Sequence, residues 1–249
     1  MKILIALLIS FIAGMSTVLG GFFIYLKPKN KDNFIGGALA FSGTIMMLIS
    51  IVELIPEGFI YLDYTYGLIF AFTSLVLSFI LGNFISSKLS KNLEKLKTKE
   101  GSLYKVGILS MIVLMIHNLP EGIITFISSV IDIKLGIKLG ISIMMHNIPE
   151  GIAIAVPLYY ATRSKKKAFK ATFISGLSEP LGAILAWTFL SKLLNNTVIS
   201  LILLFASSLM INIAVNDILL ESNNYSRKGV LTGIILAIIL FSINFIIFI

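Results

Sequence analysis

Hydrophobic residues form long uninterrupted blocks along this chain, and polar residues collect in the segments between them. The blocks lie at residues 3–26, 34–60, 66–87, 105–130, 135–161, 168–191, 197–220 and 229–249. Each is about 20 residues or longer, which is the length at which a helix crosses the hydrocarbon core of a bilayer. The pattern predicts an all-α polytopic membrane protein, with eight transmembrane helices in a single domain (1–249) and a loop at 88–104.

The first block requires a choice between a signal peptide and a transmembrane span. Met1 and Lys2 precede apolar residues, as they do in a signal peptide. The apolar run from Ile3 to Leu26 is longer than a signal-peptide core and lacks a convincing cleavage site, so we interpret it as a span. Composition supports a membrane protein, since 57% of the residues are hydrophobic, 13% are charged and the mean hydropathy is +0.99.

Basic residues are distributed unevenly between the two sides that eight spans would create. The loops after spans one, three, five and seven hold sixteen of the twenty Lys and Arg residues: Lys27, Lys29, Lys31, Lys88, Lys91, Lys95, Lys97, Lys99, Lys105, Arg163, Lys165, Lys166, Lys167, Lys170, Arg227 and Lys228. The other side holds Lys2, Lys134, Lys138 and Lys192. The positive-inside rule predicts that the basic loops are cytoplasmic and that both termini lie outside the cell membrane.

This distribution also accounts for the net charge of +8. The expected partner of the basic loops is the lipid bilayer, and a nucleic-acid partner is not predicted. The chain has no cysteine, which excludes disulfides, thiolate zinc sites and thiol redox chemistry.

Acidic residues occur at depths where a membrane protein normally avoids them. Of the twelve Asp and Glu residues, seven lie within or at the ends of predicted spans: Glu53, Glu57, Glu121, Glu150, Glu179, Asp217 and Glu221. We expect no Lys or Arg partner for them at comparable depth. An uncompensated charge at the bilayer centre costs about 2.5–3.5 kcal/mol on insertion scales. Such groups are tolerated if they are protonated, face water or are compensated by a cation, and all three conditions fit a cation pathway.

The two histidines of the chain open two copies of one motif, HNxPEG, at 117–122 in the fourth span and 146–151 in the fifth. His117 and Glu121 are four residues apart, so their side chains share one helical face. Asn118 borders the same face, and Glu121 can therefore serve two neighbouring ions. Imidazole, amide and carboxylate groups are ligands for divalent cations. The repeated motif predicts a metal site at membrane depth.

The proline and glycine of each copy predict how the helices meet. Pro120 cannot donate a backbone hydrogen bond and clashes with the carbonyl of Ile116, which frees that carbonyl and bends the helix. Gly122 permits the close approach of another helix. Pro149 and Gly151 repeat this arrangement in the fifth span. Because the connection between the two spans is short, we expect antiparallel neighbours whose motifs meet near mid-membrane.

A further carboxylate, Glu179, lies in the segment SGLSEPLG of the sixth span, where Pro180 follows it and glycines flank it. We expect Glu179 to join the same metal cluster. Two alternatives to transport stay open, an intramembrane metal-dependent hydrolase and a structural or regulatory protein that holds a fixed metal. The hydrolase is disfavoured because each motif has one histidine followed by a glutamate and not the His-Glu-x-x-His of metalloproteases. We predict that the chain is not an enzyme.

With these residues identified, the chain resembles the ZIP family of divalent metal transporters along essentially its whole length, and most closely the bacterial ZupT-like subgroup. The densest similarity runs from Met145 to Trp187. The resemblance implies an inverted repeat of spans 1–3 and 6–8 around the central spans 4 and 5, an arrangement suited to alternating access. It also implies a binuclear site, with one position formed by His117, Glu121, His146 and Glu150 and the other by Asn118, Glu121, Asn147, Glu150 and Glu179.

The expected function is import of a divalent metal into the cytoplasm. The nitrogen and oxygen donors suit Zn²⁺ best, and also Fe²⁺, Mn²⁺, Co²⁺ and Cd²⁺. No prosthetic group is expected. The sequence leaves open the roles of Glu53, Glu57, Asp217 and Glu221, and whether two copies associate as a homodimer.

Overall fold

The computed structural model describes residues 1–93, 98–190 and 195–248, and every regular element in those parts is a helix. The all-α prediction is confirmed. The helices are α1 (Lys2–Gly21), α2 (Lys31–Ile49), α3 (Ile55–Tyr66), α4 (Leu68–Leu93), α5 (Lys99–Ile131), α6 (Ile133–Thr162), α7 (Lys165–Gly176), α8 (Ser178–Leu185), α9 (Asn196–Ile213), α10 (Leu220–Ser222) and α11 (Arg227–Phe248). Wider π-helical turns join α2 to α3 (Ser50–Leu54) and α9 to α10 (Ala214–Leu219).

Seven helical segments in the described parts are long and apolar enough to cross a membrane: Lys2–Tyr25, Lys31–Tyr66, Leu68–Leu93, Glu100–Ile131, Ile133–Thr162, Asn196–Ser222 and Arg227–Ile247. The sixth predicted span is not among them because it is broken at Leu177 into α7 and α8. Pro180 explains the break, since its ring clashes with the carbonyl of Gly176 in a continuous helix. Together α7, α8 and the π-turn Ala186–Leu190 cover the sixth span.

Helices extend beyond several of the predicted spans. α4 continues to Leu93 and α5 begins at Lys99, so helix occupies much of the segment 88–104 that was predicted as a loop. Thr98 caps α5, and its side chain accepts a hydrogen bond of 3.0 Å from the Gly101 amide. Hydropathy marks where the chain leaves the bilayer, whereas a helix continues into water until a cap ends it. Glu94, Lys95, Lys97, Lys192 and Ile249 lie outside the described residues.

The central pair of helices is more enclosed than the outer helices α4 and α11. In their most apolar stretches, 61% of the residues of α5 and 72% of those of α6 are buried, against 22% for both α4 and α11. Large apolar side chains on the outer helices, such as Ile69, Phe84 and Ile246, are mostly exposed. This exposure is expected for helices that face lipid.

The helix contacts of the two halves of the chain correspond to one another. α1 packs along α6 and α8 packs along α5, while α2 packs on α11 and α9 packs on α4. The first and sixth spans thus contact the fifth and fourth, and the second and seventh contact the eighth and third. The second and seventh spans also each contain a π-turn. This pairing has the symmetry that the predicted inverted repeat requires.

Candidate metal centre

The two motif copies meet between α5 and α6. His117 Nε2 lies 3.2 Å from Glu121 Oε1 on the same helix, as the four-residue spacing predicts. The same nitrogen lies 3.8 Å from Glu150 Oε1 of the second copy. All three side chains are buried. The structure therefore brings together a histidine and a glutamate of one motif and the glutamate of the other.

Asn118 joins this group from the neighbouring position on α5. When its amide is oriented so that the nitrogen faces acceptors, Nδ2 donates to Glu150 Oε2 at 3.2 Å and to the Leu114 carbonyl at 2.7 Å. Asn118 is fully buried. Glu150 therefore has one oxygen near His117 and the other near Asn118, which is the arrangement of a carboxylate shared between two positions.

Asn147 and Glu179 form the third part of the group. Asn147 Nδ2 donates to Glu179 Oε2 at 2.8 Å and to the Ala13 carbonyl of α1 at 2.9 Å. Glu179 lies in the first turn of α8, just after the break at Leu177, and both side chains are fully buried. The expectation that Glu179 approaches the motif residues agrees with this contact. We call His117, Asn118, Glu121, Asn147, Glu150 and Glu179 the central cluster.

The predicted site residue His146 contacts residues outside the central cluster. Its Nε2 atom lies 2.7 Å from Asn244 Nδ2 on α11 and 3.7 Å from Glu53 Oε1 in the second span. No ion pair joins His146 to Glu121 or Glu150 in the described part of the chain. Sequence reasoning did not single out Asn244. A lone amide in an otherwise apolar last span was the available signal.

The glycine of each motif lies where another backbone approaches closely, as predicted. A Cβ atom added at Gly122 would collide with the Glu179 carbonyl of α8, and one added at Gly151 would collide with the Thr17 carbonyl of α1. These contacts hold α8 and α1 against the central pair. The glycines therefore place Glu179 and the Ala13 carbonyl beside the motif side chains.

The motif prolines lie inside continuous helices, since α5 runs through Pro120 and α6 runs through Pro149. The Pro149 carbonyl accepts a 2.8 Å hydrogen bond from Ser42 Oγ of α2. This hydrogen bond connects α2 to α6 at the second motif.

The central cluster contains more buried polar atoms than its own contacts satisfy. Both ring nitrogens of His117 lack a hydrogen-bond partner, and so does one oxygen on each of Glu121, Asn147, Glu150 and Glu179. Among the described residues, no Lys or Arg forms an ion pair with these carboxylates. Within the described ranges, no three His, Cys, Asp or Glu side chains are already close enough together to hold a metal ion. The groups are neighbours in a buried space, and several of their donor atoms have no partner.

The expectation that none of the membrane acids has a Lys or Arg partner is wrong for Asp217. Lys105 Nζ lies 3.0 Å from Asp217 Oδ1, so this buried acid does have a basic partner. Ser90 Oγ donates to the same oxygen at 3.3 Å. The prediction failed because Lys105 was assigned to the loop, whereas it lies on α5 and its long side chain reaches the π-turn that carries Asp217.

Comparison with known proteins identifies the family. A sequence model described as "ZIP Zinc transporter" matches residues 87–243, which is more than half of the chain. The chain belongs to the ZIP zinc transporter family. The resemblance inferred from the motifs is therefore confirmed.

Individual relatives of this ZIP family member cover nearly its whole length. It is 34% identical to the zinc transporter ZupT of Streptococcus mutans, over 98% of this chain and 97% of that protein. It is 36% identical to the zinc transporter ZupT of Oceanobacillus iheyensis, over 94% and 96% of the two chains. For the zinc transporter ZupT of Clostridium perfringens the identity is 30%, over 100% and 97%.

Family membership decides between the classes of function left open by the sequence. The ZIP family consists of transporters, so the prediction that this chain is not an enzyme is confirmed, and nothing supports the hydrolase alternative. The apolar helices and the family together define a multi-pass membrane protein.

Proposed function

We propose that this chain imports zinc across the cell membrane through a path lined by the buried donors of α5, α6 and α8. The observation that carries the proposal is the central cluster, in which Glu121, Glu150 and Glu179 share a buried space without a Lys or Arg partner among the described residues. A passing divalent cation supplies the compensation that the protein does not. The relatives named as zinc transporters support zinc as the cargo.

Two ion positions are proposed within the cluster. The first uses His117, Glu121 and Glu150, with His146 as a fourth donor once its ring turns away from α11. The 3.2 Å and 3.8 Å contacts of His117 with the two carboxylates support this position. Zinc prefers such a set of imidazole and carboxylate ligands.

The second position uses Asn118, Asn147 and Glu179, together with the shared carboxylates Glu121 and Glu150. The contacts Asn118–Glu150 and Asn147–Glu179 support it. Two cations that share carboxylates repel one another, which favours release after binding, and transport requires release. The oxygen-rich second position extends the proposed cargo to Fe²⁺, Mn²⁺, Co²⁺ and Cd²⁺. No prosthetic group is part of the proposal.

The proposed orientation of the chain in the membrane rests on the charge distribution. The basic segments that begin α2 and α7, near Lys31 and Lys165, are placed in the cytoplasm by the positive-inside rule, with both termini outside. Lys165 Nζ lies 4.0 Å from the centre of the Tyr25 ring, so part of this basic surface packs on an aromatic side chain.

Zinc flux into proteoliposomes that contain a zinc-sensitive dye tests the proposal. Replacing both Glu121 and Glu150 by Ala removes the shared carboxylates, and we expect initial uptake to fall by about 100-fold, the upper range for losing metal-site groups. Glu100→Gln is the matched control, because Glu100 is an exposed acid in the first turn of the same helix. It should transport at the wild-type rate.

Two results would contradict the proposal. One is wild-type uptake by the Glu121→Ala, Glu150→Ala protein. The other is zinc bound by the wild-type protein without any flux, which would indicate a structural or regulatory metal. Size-exclusion profiles of each variant separate loss of transport from loss of folding.

A further inference from the structure

Outside the central cluster, polar side chains from three different spans meet at one point. His146 of α6 has Nε2 at 2.7 Å from Asn244 Nδ2 of α11 and at 3.7 Å from Glu53 Oε1 of the second span. Glu53 lies in the π-turn Ser50–Leu54, and turns of this kind are frequent at functional sites. The three side chains come from helices that are far apart in sequence.

Asn244 is the unusual member of this group. It lies on α11, whose outward surface is exposed to lipid, yet its own side chain is 2% exposed and directed inward. Its Oδ1 atom has no hydrogen-bond partner, and Glu53 Oε1 has none either. A buried oxygen without a hydrogen-bond partner is costly in the membrane interior. A purely structural hydrogen bond between Asn244 and His146 therefore does not account for the unpartnered Oδ1 atom of Asn244.

The atoms that meet here are suitable ligands for a divalent cation, and two of them, Glu53 Oε1 and Asn244 Oδ1, have no hydrogen-bond partner. They comprise an imidazole nitrogen, a carboxylate oxygen and an amide oxygen, the donor types that bind zinc, iron and manganese. A rotation of the Asn244 amide exchanges Nδ2 for Oδ1 and presents the oxygen toward His146 and Glu53. We propose that Glu53, His146 and Asn244 form a further cation-binding site, the outer site, which shares His146 with the first ion position and takes up the ion before the central cluster does.

The position of the outer site fits capture of an arriving ion. Asn244 is one helical turn from the end of α11, which lies on the external side in the orientation proposed above. His146 is followed on α6 by Asn147, a member of the central cluster, so the outer site borders that cluster. An ion held by Glu53 and His146 is therefore next to the donors of the central cluster. The proposal rests on the proposed transport function for this order of events.

The competing explanation is that Asn244 only positions the His146 ring through its amide hydrogen. The two explanations differ for Asn244→Asp. A carboxylate keeps a ligand oxygen but removes the N–H donor, so a ligand role is preserved and a positioning role is lost. Asn244→Leu removes both functions at similar volume. Glu53→Gln removes the carboxylate charge at almost unchanged shape.

Equilibrium zinc binding to the purified full chain in lipid nanodiscs, with bound metal counted by mass spectrometry, tests the outer site directly. We expect Asn244→Leu and Glu53→Gln to retain one ion fewer than the wild type, and Asn244→Asp to retain the wild-type number. In proteoliposomes the first two variants should raise the KM for zinc about tenfold with little change in kcat, because capture is weakened and the central cluster is intact.

The matched controls are Asn212→Leu and Glu57→Gln. Asn212 is a membrane asparagine whose side chain bonds locally to the Ser208 carbonyl, and Glu57 is the next acid along the helix from Glu53. Neither is in ion-pair or hydrogen-bond contact with His146 in the described structure. Both should keep the wild-type ion count.

Two outcomes would overturn the outer site. One is an unchanged ion count and KM in Asn244→Leu and Glu53→Gln. The other is an equal loss in Asn244→Asp and Asn244→Leu, which assigns Asn244 to positioning. If the variants bind one ion fewer than the wild type and the wild-type protein shows no zinc flux, the outer site is supported and the transport proposal is contradicted. The two failures are therefore distinguishable.

Discussion

Two groups of buried acidic side chains in this molecule have opposite surroundings. At one end of the bundle, Asp217 is paired with Lys105 and accepts a hydrogen bond from Ser90. Close by, Glu221 accepts hydrogen bonds from Ser102 and Asn224. In the central cluster, the carboxylates contact histidine and asparagine side chains, and oxygens on several of them have no partner.

Under the proposed function, this difference separates structural acids from acids kept for an ion. A buried carboxylate with a basic partner is already compensated, so a metal ion gains little by approaching it. A carboxylate without one is costly in the free protein and favours the approach of a cation. We therefore propose that acidic residues at similar burial have different roles here, according to whether each has a basic partner.

The largest expected effect compares Glu150→Gln with Asp217→Asn in thermal unfolding with and without zinc. A ligand that binds only the folded protein stabilises it by about 2.7 kcal/mol at a concentration 100 times its Kd. We expect Glu150→Gln to abolish this zinc-dependent stabilisation and to leave the zinc-free Tm unchanged or higher. Asp217→Asn should lower the zinc-free Tm and keep the zinc-dependent increase.

The proposed difference between the two acid groups is wrong if the zinc-dependent stabilisation is lost in Asp217→Asn and kept in Glu150→Gln. A lost zinc response in Asp217→Asn would place that acid among the ligands. A full zinc response in Glu150→Gln would remove Glu150 from them.

The next effect concerns the helix contact that holds the central cluster together. Gly151→Ala places a methyl group against the Thr17 carbonyl of α1, and we expect the free energy of unfolding to fall by about 2 kcal/mol through overpacking. Gly140→Ala on the same helix is the control, because its added methyl would meet a side-chain methyl group, Ile9 Cγ2 at 2.7 Å, and no backbone atom. Equal Tm values for the two variants would show that α1 shifts freely and that the close contact is unimportant.

The smallest effect concerns the compensated acids. Lys105→Met leaves Asp217 without its cation, and we expect a loss of about 1–2 kcal/mol, between the values for exposed and buried ion pairs. Adding Asp217→Asn to Lys105→Met should restore most of that loss, since no buried charge then remains. A double-mutant cycle in chemical unfolding measures this coupling. Additive effects of the two substitutions would mean that the pair contributes nothing to stability.

Much of the fold was predictable because the bilayer restricts the choice. Long apolar blocks can satisfy their backbone groups in lipid only as helices, so hydropathy predicted that these blocks are helical. It located their ends less well, since α4 and α5 extend through charged residues that a helix accommodates in water. The break at Leu177 followed from Pro180, a local effect that hydropathy does not register.

The candidate site was predictable to the extent that it is local. His117 and Glu121 meet because they are one helical turn apart. Contacts such as Asn147 with Glu179 depend on how α6 and α8 both pack against α1 and α5, and the prediction placed these residues together through the repeated motif and the family resemblance. Nothing in the sequence near His146 indicated Asn244, which is 98 residues away.

By itself the sequence determined that this is a helical membrane protein with a repeated metal-binding motif, because backbone hydrogen bonding in lipid and side-chain spacing along one helix are local properties. Only the tertiary structure decided which acids have partners. It paired Asp217 with Lys105, turned His146 toward Asn244 and Glu53, and left oxygens of Glu121, Glu150 and Glu179 without partners in the buried interior. Electrostatic compensation depends on distance in space, and that distance is set by how the helices pack.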